Sequence, residues 1–138
     1  MLAMRSRMIT ALTLVLVTTI TASASAYEIK DFRLHTSGGR LTYSMVICTA
    51  TKATLKLTGT FTPTAKGGGL KTAKPGSMQY QDKGCYPAAV SAPVRRNLAP
   101  CAPQVCAVKK GRTYRVSVHI VDQHTKRART TPKRTARA

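Results

Sequence analysis

The sequence predicts an all-β protein, an antiparallel two-sheet β-sandwich behind a short apolar leader, and three observations carry that prediction. Apolar and polar residues alternate at period two in three separate segments. No stretch of ten or more residues carries a helical stripe. Turn chemistry separates the alternating segments, at Ser37-Gly38-Gly39, Thr62-Pro63, Gly67-Gly68-Gly69, Lys74-Pro75-Gly76, Lys83-Gly84 and Lys110-Gly111. About six or seven short strands at this spacing, each burying one face, imply two sheets packed together.

The first element is the leader. Met1 to Met8 carries Arg5 and Arg7 and no acid, Ile9 to Ile20 is uncharged and apolar, and Ala24-Ser25-Ala26 fits a small-x-small cleavage site. This order reads as a secretory signal cleaved after Ala26. The apolar run is about 12 residues, short of the roughly 20 that span a bilayer. No second such run follows, so the expected mature product, residues 27–138, is soluble and secreted.

Within it, Tyr27–Leu34 reads as a weaker strand. Tyr27 and Ile29 fall out of phase with Phe32 and Leu34, which predicts a bulge at Lys30-Asp31. Leu41, Tyr43, Met45 and Ile47 alternate with Thr42, Ser44 and Val46. Ala53, Leu55, Leu57, Gly59 and Phe61 alternate with Thr54, Lys56, Thr58 and Thr60. In a strand, that spacing sends every apolar side chain to one face and leaves lysine and threonine to water. Thr62 to Ser77 has four glycines, two prolines and three lysines, and reads as an exposed loop. Ser77–Gln81, Ala88–Val90 and Val105–Val108 are further weak strand candidates. Tyr114, Val116, Val118 and Ile120 give the last strong alternation. Gln123 to Ala138 holds six Lys/Arg and no acid, and reads as a disordered basic tail, leaving residues 27–122 as the domain.

Cys48, Cys85, Cys101 and Cys106 all lie in the mature chain. An even count in an exported domain of this size points to two disulfides. Four thiolates can also hold zinc, but zinc sites pair their cysteines in close doublets, and these are 37, 16 and 5 residues apart. Of the three pairings, Cys101–Cys106 is preferred because Pro100 and Pro103 favour a tight turn. That leaves Cys48–Cys85 to tie a strand to a distant loop.

The run Gly111-Arg112-Thr113-Tyr114-Arg115-Val116-Ser117-Val118-His119-Ile120-Val121-Asp122 resembles the penultimate strand of fibronectin type III and related immunoglobulin-like domains. There a G-x-x-Y turn leads into alternating valines and ends near an aspartate. The resemblance implies that Tyr114 closes a corner by bonding back to the backbone. Val116 stands where immunoglobulin domains have their second cysteine, and there is no tryptophan, so the fibronectin-like variant fits better. A fold that hosts so many functions assigns none by itself.

Charge carries most of the functional reading. The chain has 23 Lys+Arg against 4 Asp+Glu, a formal charge of +19. Arg5 and Arg7 leave with the leader, so the mature charge is +17. The acids Glu28, Asp31, Asp82 and Asp122 are too dispersed for a glycosidase pair. Asp122 reads as a strand-end cap. His35, His119 and His124 are the candidates for a small basic nuclease, but nothing in the pattern brings two of them within hydrogen-bond reach. No metal-binding, phosphate-loop or nucleophile motif occurs, so no cofactor and no enzyme activity is expected. Val94-Arg95-Arg96-Asn97, between Pro93 and Pro100, has the form of a protease-inhibitor loop. The favoured expectation is a monomeric, non-enzymatic protein that binds anionic surfaces through Lys66, Lys71 and Lys74 of the loop and Lys126, Arg127, Arg129, Lys133, Arg134 and Arg137 of the tail. For an exported chain, suitable partners are an anionic cell-envelope polymer, lipid head groups or extracellular nucleic acid. Most aromatics alternate inward, so no base-stacking platform is expected.

Overall fold

In the computed structural model, which describes residues 27–67, 69–98 and 107–138, the chain is built from β1 (Tyr27–Ser37), β2 (Arg40–Thr49), β3 (Ala53–Pro63), β4 (Gly76–Gln81), β5 (Gly84–Arg95), β6 (Val108–Lys109), β7 (Thr113–Asp122), β8 (Ala128–Thr130) and β9 (Arg134–Arg137). The leader and the Cys101–Cys106 pair lie outside the described residues. Among those residues no helix is long and apolar enough to cross a membrane. One sheet has the order β1-β2-β5-β6 and the other β4-β3-β7-β8, with β9 also on β7. The two sheets form the expected sandwich.

The three strong alternations are β2, β3 and β7, and each points inward as its sequence requires. Leu41, Tyr43 and Ile47 of β2 meet Leu55, Leu57 and Phe61 of β3 and Val116, Val118 and Ile120 of β7 in one buried cluster. Gly59 sits among these inward residues because a side chain would not fit. A Cβ there would come within 2.6 Å of Phe61 Cε2 and 2.8 Å of Val90 Cγ1. The bulge falls where the phase break predicts. Lys30 pairs with Val46 and Arg33 with Ser44, so Asp31 and Phe32 together span one position of β2, with Asp31 at φ 57°. That extra residue restores Phe32 and Leu34 to the core side.

Three expectations are corrected. First, β5 runs from Gly84 to Arg95, far beyond Ala88–Val90, and carries Pro87 and Pro93. Both prolines share the strand parity whose backbone groups face away from β2: the Pro87 and Ala89 carbonyls accept side-chain bonds from Gln79 and Ser77 of β4. A proline there removes no ladder bond. Cys85 is therefore a strand residue directly opposite Cys48, Cα atoms 3.9 Å apart, and the disulfide joins neighbouring strands of one sheet rather than reaching a loop. Second, the Thr62–Ser77 segment is pinned in its latter half. Ala73 is fully buried and exchanges backbone bonds with Phe61, and the Gly59 N–H donates to the Pro75 carbonyl.

Third, residues 123–138 are not a disordered tail but the edge of the second sheet. β8 pairs with His119–Val121 and β9 with Thr113–Val116. Between them the last segment spends three residues where β7 spends two. The Thr131 hydroxyl accepts from the Val118 N–H (2.8 Å), its own N–H donates to the Val118 carbonyl (2.9 Å), and Pro132 is left to bulge. Charge density did not prevent pairing because most of these cations project from an edge, where lysine and arginine are readily solvated. The Tyr43 hydroxyl donates to the Pro132 carbonyl (2.7 Å), Thr36 to the Arg137 carbonyl (2.8 Å), and Ala136 and Ala138 pack on the core.

Replacing Cys48 and Cys85 together by serine should lower stability by about 3–4 kcal/mol, read from the urea midpoint of the two proteins. Truncation after Asp122 should abolish the cooperative urea transition, because it exposes the β7 edge and leaves the buried Tyr43 hydroxyl without its acceptor. A truncated chain with an unchanged transition and well-dispersed amide NMR signals would contradict this assignment.

Candidate functional site

The register of β3 decides the chemistry of the second sheet's outer surface. With Leu55, Leu57 and Phe61 inward, Thr54, Lys56, Thr58, Thr60 and Thr62 turn outward. On β7 the outward partners are Arg115 opposite Thr62, Ser117 opposite Thr60 and His119 opposite Thr58. The C-terminal edge adds Thr130 beside His119 and Thr135 beside Arg115. Thr60, Thr62, Ser117, Arg115 and Lys133 line a shallow notch of about 180 Å³. Hydroxyls and cations share this face with His119 and Val121, and no Asp or Glu side chain lies on it. Glu28 and Asp31 belong to β1, and Asp82 to the β4–β5 turn. Asp122 is buried, its Oδ1 accepting from the His124 and Thr125 N–H groups, which is the expected cap.

The nine cations expected to contact anions are all exposed, but they do not gather in one place. Lys66, Lys71 and Lys74 lie in the β3–β4 connection. Lys126 and Arg127 belong to the β7–β8 turn. Arg129 carries its guanidinium 5.7 Å over the buried Tyr27 ring, which gives it a structural role. The Arg137 Nε donates to the Gly111 carbonyl (3.1 Å) and so clamps the end of β9 to the β6–β7 turn. Lys133 joins the notch. Arg115 and Lys56, which complete the face, escaped the sequence reading because strand alternation marks them only as solvent-facing. The signal that finds them is the absence of acids on the outward positions of β3 and β7 taken together.

The histidines are not brought together. His35 faces out from the first sheet opposite Thr42, whereas His119 faces out from the second, its Nδ1 3.0 Å from the Thr130 hydroxyl. His124 lies in the β7–β8 turn. Among the described residues no group of three histidines, cysteines or acids could hold a metal ion. Arg95 is the last residue of β5, and its carbonyl accepts from the Lys110 N–H (2.8 Å), so only Arg96 and Asn97 of the inhibitor-like stretch stand in a bend. The Tyr114 hydroxyl accepts from the Lys109 N–H (2.8 Å), the backbone closure the resemblance implied. Most aromatics point inward as expected, Tyr27, Tyr43, Phe61 and Tyr114 being buried and Phe32 packed on the core, but Tyr80 is 74% exposed and Tyr86 39%. Both lie at the sheet edges where β4 approaches β5, and there alternation no longer sorts side chains into inside and outside.

No family model matches the chain, and no curated protein matches it in sequence. Among solved structures it is similar to part of a β-glucuronidase from Bacteroides uniformis, at 20% identity and a TM-score of 0.39, covering 81% of this chain and 13% of that one. It is also similar to part of β-glucosidase 3B from Thermotoga neapolitana, at 12% identity and a TM-score of 0.41, covering 81% of this chain and 17% of that one. The chain thus spans less than a fifth of either enzyme.

Burial pushes the Tyr27 hydroxyl above the usual tyrosine range, while the nearby Arg129 guanidinium pulls it back and the Asp122 carboxylate raises it further. The folded state therefore holds this proton more tightly than the unfolded chain. Its contribution is full below pH about 10 and is lost as pH rises past it. Urea denaturation between pH 8 and 11 should show a shallower alkaline loss of stability in Tyr27→Phe than in the parent.

Proposed function

We propose that the mature chain is an exported, non-enzymatic protein that associates with phosphate-bearing polyanions through the outer face of its second sheet. The observation that carries this reading is the acid-free lattice of hydroxyls and cations centred on the Thr60, Thr62, Ser117, Arg115 and Lys133 notch. Threonine and serine hydroxyls donate to phosphate oxygens, and arginine and lysine release the counterions condensed on the polymer. An envelope polymer, a lipid head-group surface and extracellular nucleic acid all offer this chemistry. The leader supports an extracellular setting for any of them. The exposed Lys66, Lys71 and Lys74 extend the positive field along the β3–β4 connection.

The test measures affinity for inorganic polyphosphate, single-stranded DNA and anionic lipid vesicles across a sodium chloride series. The Arg115→Ala/Lys133→Ala double variant should weaken binding and reduce the salt slope by about 1.5–2. The Arg33→Ala/Arg95→Ala variant removes the same charge from the opposite sheet and should leave the slope nearly unchanged. Equal losses in both variants would reduce the interaction to bulk charge and sink the assignment to this face.

A further inference from the structure

Among the described residues the large apolar side chains that stand exposed, Met78, Tyr80 and Tyr86, all line one open cleft of about 450 Å³ where the β4 edge meets the β5 edge. Scattered exposed apolar residues need no explanation, but their convergence on one concavity does. Pro87 completes its apolar lining, and Gln79, Gln81 and Asp82 supply the polar groups.

The polar groups are already sorted by role. Gln79 Nε2 donates to Gln81 Oε1 (2.8 Å) and to the Pro87 carbonyl (3.3 Å). Gln81 is buried, and its Nε2 donates to the Ile47 carbonyl (3.1 Å) and the Thr49 hydroxyl (3.2 Å). Thr49 in turn donates to the Asp82 carbonyl (3.3 Å). Both amides have thus committed their N–H groups to the framework. What remains on these lining residues is mainly acceptor capacity: the Gln79 Oε1 and the Asp82 carboxylate, neither bonded among the described residues, beside two tyrosine hydroxyls that can donate or accept. The walls are held from behind. Gly84, at φ +128°, would place a Cβ 3.5 Å from Tyr86 Cε2, so the ring lies over a residue that has no side chain, and the adjacent Cys85 is locked to Cys48.

That inventory selects a ligand by elimination. No lysine or arginine lines the cleft and a carboxylate does, so an anion finds no partner there. A free cation is opposed by the +17 net charge of residues 27–138 and by Lys83 next to Asp82. A proline-rich peptide offers chiefly carbonyl acceptors, which could pair with the two tyrosine hydroxyls but would leave the Gln79 Oε1 and the Asp82 carboxylate without donors. A neutral ligand with many hydroxyl donors and flat C–H faces satisfies both the acceptors and the exposed rings. We infer that the Tyr80–Tyr86 cleft is a binding site for an uncharged glycan chain, its sugar rings stacked on the tyrosines and its hydroxyls donating to Gln79 and Asp82.

The experiment titrates the full mature protein with neutral hexasaccharides (β-1,4-glucan, α-1,4-glucan and β-1,4-linked N-acetylglucosamine) while NMR follows the Tyr80 and Tyr86 rings and the Met78 methyl. At least one should give saturable shifts confined to these residues, with an affinity that is unchanged between 50 and 500 mM sodium chloride. Tyr80→Ala and Tyr86→Ala should each weaken it about tenfold without moving the thermal midpoint, and Tyr86→Phe should retain most of it. Three results would overturn the inference: no shift with any hexasaccharide at millimolar concentration, binding that survives both alanine variants, or preferential occupation of the cleft by tetramethylammonium or a proline decapeptide. Loss of affinity with salt would instead assign the contact to the cationic face and overturn the cleft as its site.

Discussion

The two sheets are held in register by side chains that reach across their edges, and most of the molecule's features follow from that closure. A sandwich of two small sheets has four open edges, and each presents unpaired backbone groups. Here they face each other in pairs. On one side Ser77 and Gln79 of β4 donate to the β5 carbonyls of Ala89 and Pro87. On the other, Thr36 and Tyr43 of the first sheet donate to carbonyls of the C-terminal strand segment, and the Tyr27 hydroxyl donates to Ile120 (3.0 Å) and Arg127 (3.3 Å). Among the described residues no buried side-chain nitrogen or oxygen lacks a partner. A core of valine, leucine, isoleucine and alanine with only a few aromatics gains less from burial than a tryptophan-centred one. Satisfied polar edges therefore matter more to this fold than to a larger sandwich.

Closure also allocates the surfaces. Because the inner faces take the alternating apolar residues of β2, β3 and β7, the outward positions of β3 and β7 are left to threonine, serine, lysine, arginine and histidine, apart from Val121. The acids occupy structural niches elsewhere: Asp122 clamps a turn, and Asp31 sits at the bulge with a positive φ that few residues adopt easily. A cationic face is thus a consequence of strand parity combined with acid placement, not of a flexible tail.

The sequence made legible what depends on periodicity. The inward residues of β2, β3 and β7, the bulge in β1 and the strand-end role of Asp122 could all be read from spacing alone. What it hid depends on partners distant in the chain. Pro87 and Pro93 argue locally against a strand, and only the parity that turns them away from β2 makes β5 possible. The pairing of β8 and β9 rests on three and four residues, too few for any alternation to show, and their six neighbouring cations read as repulsive until an edge is there to receive them. Arg115 and Lys56 are ordinary surface residues until the register places them on one face. Tyr80 and Tyr86 could not be placed for the same reason: their exposure is decided by the approach of two edges, not by their own strands.

The cationic face and the aromatic cleft are neighbours, since Met78 and Tyr80 pair with Lys56 and Thr54 across β3 and β4. Their physical characters nevertheless separate with salt. Charges on the face act through solvent over a screening length of about 8 Å at physiological ionic strength, so their reach contracts as salt rises. Stacking on a tyrosine ring and hydrogen bonds to a fixed amide oxygen act at contact and are little changed over that range. On the two binding proposals, low salt would let the field of Lys56 and its neighbours hold phosphate-bearing polymers on the face. High salt would leave only what fits the rings and acceptors of the cleft. Ionic strength thus separates the two proposed modes of binding on a single edge of a small sandwich.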